Sequence, residues 1–217
     1  MKKGIVLIIF VFFFASYSFA FDDDDFQHWI TTSASWKMDD EWNMSFEEEF
    51  RLGDDAGNLY YHHSDLGFTY SGITDWLDVG VNYRHVFEEK SSDWKQENRP
   101  HVNATVKWKM GDVPLSNRAR FEYRNRQDAE NYWRYSNKFS VKFPLKFTRL
   151  NIQPYIADEI FYDFNEETLN RNRVYAGFSF TLLKNLKAEI YYLLESNEKS
   201  KDWNDTHALG TKLKFSF

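Results

Sequence analysis

The chain of 217 residues has no cysteine, only four prolines and nine glycines. Without thiols there is no disulfide framework, zinc ribbon, iron–sulfur ligation or cysteine nucleophile. Past residue 20 there is also no apolar run approaching the roughly 20 residues of a spanning helix. A basic excess is missing as well: 33 acidic residues against 27 basic give a charge of −6. No segment concentrates basic residues with interleaved stacking aromatics, which argues against a nucleic-acid partner. What the chain does have is 21 Phe, 13 Tyr and 8 Trp, 19% aromatic, beside 28% charged residues. Disordered chains lack that aromatic content, so this one must fold.

The first residues stand apart. Lys2 and Lys3 precede an apolar run from Gly4 to Ala15, followed by Ser16, Tyr17, Ser18, Phe19 and Ala20. A positive end, an apolar stretch and small residues at Ser18 and Ala20 read as a secretory signal cleaved after Ala20. A retained anchor would need a longer run than one that stops before Asp22 to Asp25. With no cysteine following it, export with a lipid anchor is excluded. Removing Lys2 and Lys3 takes the charge from −6 to −8. Residues 1–20 are therefore read as signal and 21–217 as one domain.

The remainder is written in period two. From Trp42 to Leu52, Trp42, Met44, Phe46, Phe50 and Leu52 alternate with Asn43, Ser45, Glu47, Glu49 and Arg51; Glu48 alone departs from the apolar row. Leu77, Val79, Val81, Tyr83 and Phe87 oppose Asp78, Gly80, Asn82, Arg84 and Glu88. Around residue 122 the polar row is almost wholly ionic: Arg118, Arg120, Glu122, Arg124 and Arg126. The pattern recurs through residues 102–110, 133–143, 173–182 and 209–217. This is strand periodicity, and no segment shows a comparable helical stripe. The class is all-β.

Eleven such segments can be counted: 26–38, 41–52, 59–71, 76–88, 99–110, 117–127, 133–143, 150–162, 171–183, 186–196 and 206–217. The links between them read as alternately short (near 39–41, 72–75, 111–116, 144–149 and 184–185) and long and charged (near 53–64, 88–98, 127–132, 163–170 and 196–205). Polarised links, segments near the length of a tilted membrane crossing and aromatics toward segment ends favour an antiparallel transmembrane β-barrel with its apolar face on lipid. A lipocalin-like barrel, apolar inside, is the rival arrangement. The terminal Phe217, with Leu213 and Phe215 in the same row, resembles the C-terminal signal that the barrel assembly machinery reads in Gram-negative outer membranes. Bacterial barrels have even strand numbers. That parity makes the expected count ten or twelve, with twelve favoured.

Trp29, the Glu47 to Arg51 stretch, Gly80 to Arg84, Arg118 to Arg126, Trp133 to Tyr135, Asp158 to Phe161 and Asn170 to Gly177 together resemble domain-of-unknown-function family 2490, predicted outer-membrane proteins. The resemblance covers nearly all of the mature chain. It implies a β-barrel in the outer membrane and brings no mechanism with it.

With apolar faces on lipid, Glu47, Glu49, Arg51, Arg84, Arg118, Arg120, Glu122, Arg124, Arg126, Arg134, Glu159, Arg173 and Glu189 point into the lumen. One reading is a set of mutually neutralising ion pairs in a non-conducting structural or docking barrel. The other, preferred here, is a narrow channel for small anionic or oligosaccharide-like solutes, because Arg is concentrated on the strands and acids on the links. Catalysis is not expected: His62, His63, Ser64 and Asp65, with His85, His101, Asp205 and His207, lack a nucleophile motif, and neighbours on a strand face opposite ways. No metal or cofactor is expected either, since Asp22 to Asp25 read as a solvated tail rather than as spaced calcium ligands. Trp94 and Trp203, in charged links, suit girdle anchoring or partner contact.

Overall fold

The computed structural model describes residues 25–90, 93–145, 148–199 and 202–217. The signal segment read from the sequence lies outside them, as do Asp22 to Asp24. Eleven strands make up the fold: β1 (Phe26–Lys37), β2 (Trp42–Gly53), β3 (Asn58–Thr74), β4 (Leu77–Lys90), β5 (Asp93–Met110), β6 (Val113–Arg126), β7 (Tyr132–Lys142), β8 (Gln153–Asp163), β9 (Thr168–Leu183), β10 (Leu186–Lys199) and β11 (Asp202–Ser216). They close into one barrel in chain order.

Each strand pairs antiparallel with its successor, but β1 pairs parallel with β11, Trp29 standing beside Gly210. The all-β barrel is as expected and its eleven strands fall within the range of ten to twelve, but the favoured even count of twelve and the wholly antiparallel wall are corrected. Hairpins reverse direction at every step, so an odd number of strands leaves the first and last running the same way. The parity argument assumed that both chain ends lie at one rim. Here β1 and β11 both finish at the rim holding Phe217, where Lys37 N donates to Phe217 O at 3.0 Å and Phe217 N to Ser35 O at 2.9 Å. At the opposite rim His207 N donates to Asp25 O at 3.2 Å.

The alternation of short and long links is corrected too. The stretch 53–64 contracts to a turn over residues 54–57, and 88–98 is mostly strand, β4 reaching Lys90 and β5 starting at Asp93. The longest connection, residues 143–152, lies at the C-terminal rim. Asymmetry takes another form, in which strands overrun the apolar belt at the far rim. On the outer row of β5, Val102, Val106, Trp108 and Met110 are exposed apolar residues, while Gln96 and Asn98 precede them on the same row. On β11 Leu209, Leu213 and Phe217 form the belt and Asp205 lies beyond it. Roughly nine residues at ~3.3 Å each, tilted by ~40°, rise about 23 Å, which fits the ~25 Å belt of an outer-membrane barrel.

Local chemistry explains the details of the ladder. Pro100 has no N–H, and the pairing of β5 with β6 passes from Asn98↔Asn125 to His101↔Glu122 without it, as a proline in a strand requires. Gly111 opens the two-residue β5–β6 hairpin with φ +60°, the conformation that favours glycine at the first position of such a turn. Ring pairs such as Trp42 with Tyr70 (4.9 Å between centroids) and Trp36 with Phe217 (6.0 Å) sit near the C-terminal rim.

Candidate functional site

The inner faces form a charged lumen. Its half toward the far rim is densely paired. Arg124 holds Glu97 with two hydrogen bonds of 2.6 Å, and Arg99 Nε donates to the same carboxylate at 2.8 Å. Arg134 Nε donates to Glu122 Oε1 at 2.6 Å, and Arg173 and Arg171 share Glu195. Arg84 Nε donates to Asp65 Oδ2 at 2.8 Å, with His101 Nε2 3.0 Å from the same oxygen and Asn82 Nδ2 donating to Oδ1 at 2.7 Å. Glu122, Glu97 and Asp65 are almost wholly buried. Forked guanidinium contacts to a carboxylate are the arrangement that makes such burial tolerable.

Aromatic rings back cations that carboxylates also hold. The Arg51 guanidinium lies 3.6 Å from the Trp29 ring centroid and 4.2 Å from that of Tyr61, while its Nε donates to Glu49 at 2.8 Å. Arg173 lies 4.9 Å from both Trp29 and Phe161. A guanidinium over a ring face keeps its charge stabilised after losing water.

Toward the C-terminal rim cations outnumber acids. Lys212 donates to Glu47 at 2.5 Å, and Lys214 to Glu189 at 2.6 Å. Glu159, by contrast, is shared among Arg118, Lys138 and the Tyr175 hydroxyl. A cavity of about 620 Å³ runs through the charged interior; its lining spans Glu88, Asn197 and Thr206 near the far rim to Ser140, Lys142 and Lys214 near the other. The charged groups that line it include Glu47, Glu49, Arg51, Arg84, Arg118, Arg120, Arg124, Arg134, Glu159, Arg173 and Glu189.

Most of the lumen residues read from the sequence therefore share one cavity. Glu122 is buried in the wall against Arg134. Arg126 differs, because its guanidinium donates to the Glu130 backbone carbonyl in the β6–β7 turn at the rim. Glu48 faces outward, as its place in the apolar row requires, and accepts a hydrogen bond from Ser64 Oγ. The histidine and serine candidates separate by face: His63 is buried in the lumen, while His62 stacks outside between Phe50 and Phe87. Glu47, Glu49 and His63 bring ligand atoms within 4.8 Å of one another. Their charge is already met, since Glu49 accepts from Arg51 and Glu47 from Lys212.

The sequence reading did not count Asp65, Glu97, Arg99, His101, Lys138, Glu195 and Lys212 among the lumen residues, Asp65 and His101 having entered only as catalytic candidates. Glu97 was absorbed into an apparent link. The missed signal was that Glu97, Arg99 and His101 continue the odd-numbered polar row of Asn103 and Thr105 backward.

No curated protein shows a match to the chain. Residues 26–206 match the family model described as "Protein of unknown function (DUF2490)". That span takes in ten strands and the start of the eleventh, with most of the charged lumen they enclose, and by it the chain belongs to the DUF2490 family.

Proposed function

We propose that this protein is an outer-membrane barrel whose lumen passes small anionic solutes. The observation that carries the reading is the cavity, lined from one rim to the other and richer in Arg and Lys than in Asp and Glu. Fixed cations in a low-dielectric passage raise the local concentration of anions. Outer-membrane placement is supported by the apolar outer belt, by the N-terminal signal pattern and by the terminal Phe217, whose amide and carbonyl join the seam. In that placement the C-terminal rim faces the periplasm, and lipid and the assembly machinery are the partners.

The test is single-channel conductance in planar bilayers with a salt gradient. The expected reversal potential is on the anion side. Silence at every voltage, or a cation-side reversal, rejects the channel.

A non-conducting structural barrel is the second reading, and the paired far half favours it. Glu97, Arg99 and Arg124 form a closed ionic knot. Silence in bilayers together with high resistance to unfolding is the outcome expected from it. Hydrolysis is not proposed, because Ser64 and His63 face opposite sides of one strand.

A further inference from the structure

Arg118 on β6 and Lys138 on β7 are direct cross-strand partners, and both side chains line the cavity. Like charges in that relation repel. Opposite Lys138 on β8 stands Glu159. Arg118 Nη2 donates to Glu159 Oε1 at 2.7 Å, but its Nε has no hydrogen-bond partner. Lys138 Nζ comes no closer than 4.0 Å to Glu159 Oε2, an oxygen that already accepts from Tyr175 OH at 3.1 Å, and sits 3.3 Å from the Tyr175 ring centroid. Arg120 donates from Nε to Asn103 Oδ1 at 3.0 Å, and its Nη1 is 4.0 Å from Glu122, which Arg134 holds. Arg118 and Lys138 thus meet at one closely bonded carboxylate, and Arg120 beside them has only the distant edge of a carboxylate that Arg134 holds, whereas the far half pairs its cations tightly.

We propose that Arg118, Arg120 and Lys138 form a binding site for a tetrahedral oxyanion of the phosphate class, free or as a small phosphomonoester. With Glu122 neutralised by Arg134, the charges of Arg118, Arg120 and Lys138 are set against Glu159 alone and leave a surplus of two, which matches a dianion. Guanidinium forks and an ammonium supply donors in several directions, as several phosphate oxygens require and a planar carboxylate does not. The site rests on the reading of the lumen as an anion path, yet it binds whether or not the barrel conducts.

The experiment is isothermal titration of the full refolded barrel in zwitterionic detergent at constant ionic strength. Inorganic phosphate and glycerol phosphate are the two ligand arms, with chloride as the control. Saturable one-to-one binding is expected in at least one phosphate arm, and which arm is tighter identifies the source. Arg118→Gln and Lys138→Gln should each weaken binding roughly tenfold, the loss of one charge-assisted contact, with Arg126→Gln unchanged. Lys138→Arg should retain binding, and gel mobility of unheated samples checks that every variant is folded. No saturable phosphate heat, equal binding in both Gln variants, or chloride competing at equal concentration would overturn the site. Bilayer recordings on the same samples separate the two readings. Anion conductance without phosphate saturation rejects the site alone, and phosphate binding in a silent barrel rejects the channel alone.

Discussion

Tyr191 lies across the ladder from Gly210, and a methyl group on that glycine would fall inside the tyrosine ring. Gly177, the partner of Tyr191 on its other side, is closed to a side chain by Cβ and Cα of Tyr191 and by the Ile190 carbonyl. The ring, nearly buried, thus occupies the space Gly210 leaves next to the β1–β11 seam, 5.7 Å from Tyr175 between centroids. Gly210→Ala should destabilise the barrel by about 1–3 kcal/mol through overpacking. In a Tyr191→Ala background the same change should cost much less, and urea unfolding of the four proteins in a double-mutant cycle measures that coupling.

Among the described residues Asp65 is the one carboxylate hydrogen-bonded by both Arg84 and His101, and Asn82 holds its other oxygen. Asp65→Ala removes the acid and leaves a buried guanidinium without its closest partner. The expected loss is about 3–5 kcal/mol, read as a lower urea midpoint. A loss within experimental error would mean that Glu47, 3.7 Å from Arg84, takes over the pairing.

Glu48 stands on the outer row between Phe46 and Phe50, held by Ser64. If that row meets lipid, Glu48→Leu should stabilise the protein in phospholipid vesicles by about 1 kcal/mol, at the lower end of costs for lipid-facing charges. Destabilisation by leucine would place this face against water or another protein.

The parallel seam puts Asp25 and Phe217 at opposite rims. A short epitope inserted ahead of Asp25 should therefore be reached by antibody on intact cells, and one inserted in the β9–β10 turn between Lys184 and Asn185, at the rim of Phe217, only after permeabilisation. Labelling of both, or of neither, on intact cells is incompatible with eleven strands in an outer membrane.

Phe217 closes the seam through Ser35 and Lys37, and its ring packs with Trp36. Deleting it should sharply lower the amount of folded, heat-modifiable barrel in cells. Refolding into detergent should fall less, because only the cellular route depends on recognition by assembly machinery. Equal losses in both assays would assign Phe217 a purely structural role.

The sequence alone determined the β class, the eleven segments and which side chains share a face, because a strand's period of two is local and survives without knowledge of partners. It also placed Glu48 on the apolar row and Arg118, Arg120, Glu122 and Arg124 on the opposite one. Partner choice is not local. That Arg124 takes Glu97 from the neighbouring strand, that Arg118 meets Lys138, and that Asp65 serves Arg84 and His101 all depend on register, which the tertiary fold decides. Strand number went wrong for the same reason: the eleven segments were legible, but closure by a parallel seam is a relation between the two ends of the chain. The link at 88–98 misled because polar residues look alike in a loop and in a strand that rises out of its apolar belt into water. Only the ladder, carrying β4 to Lys90 and β5 back from Asp93, separates the two.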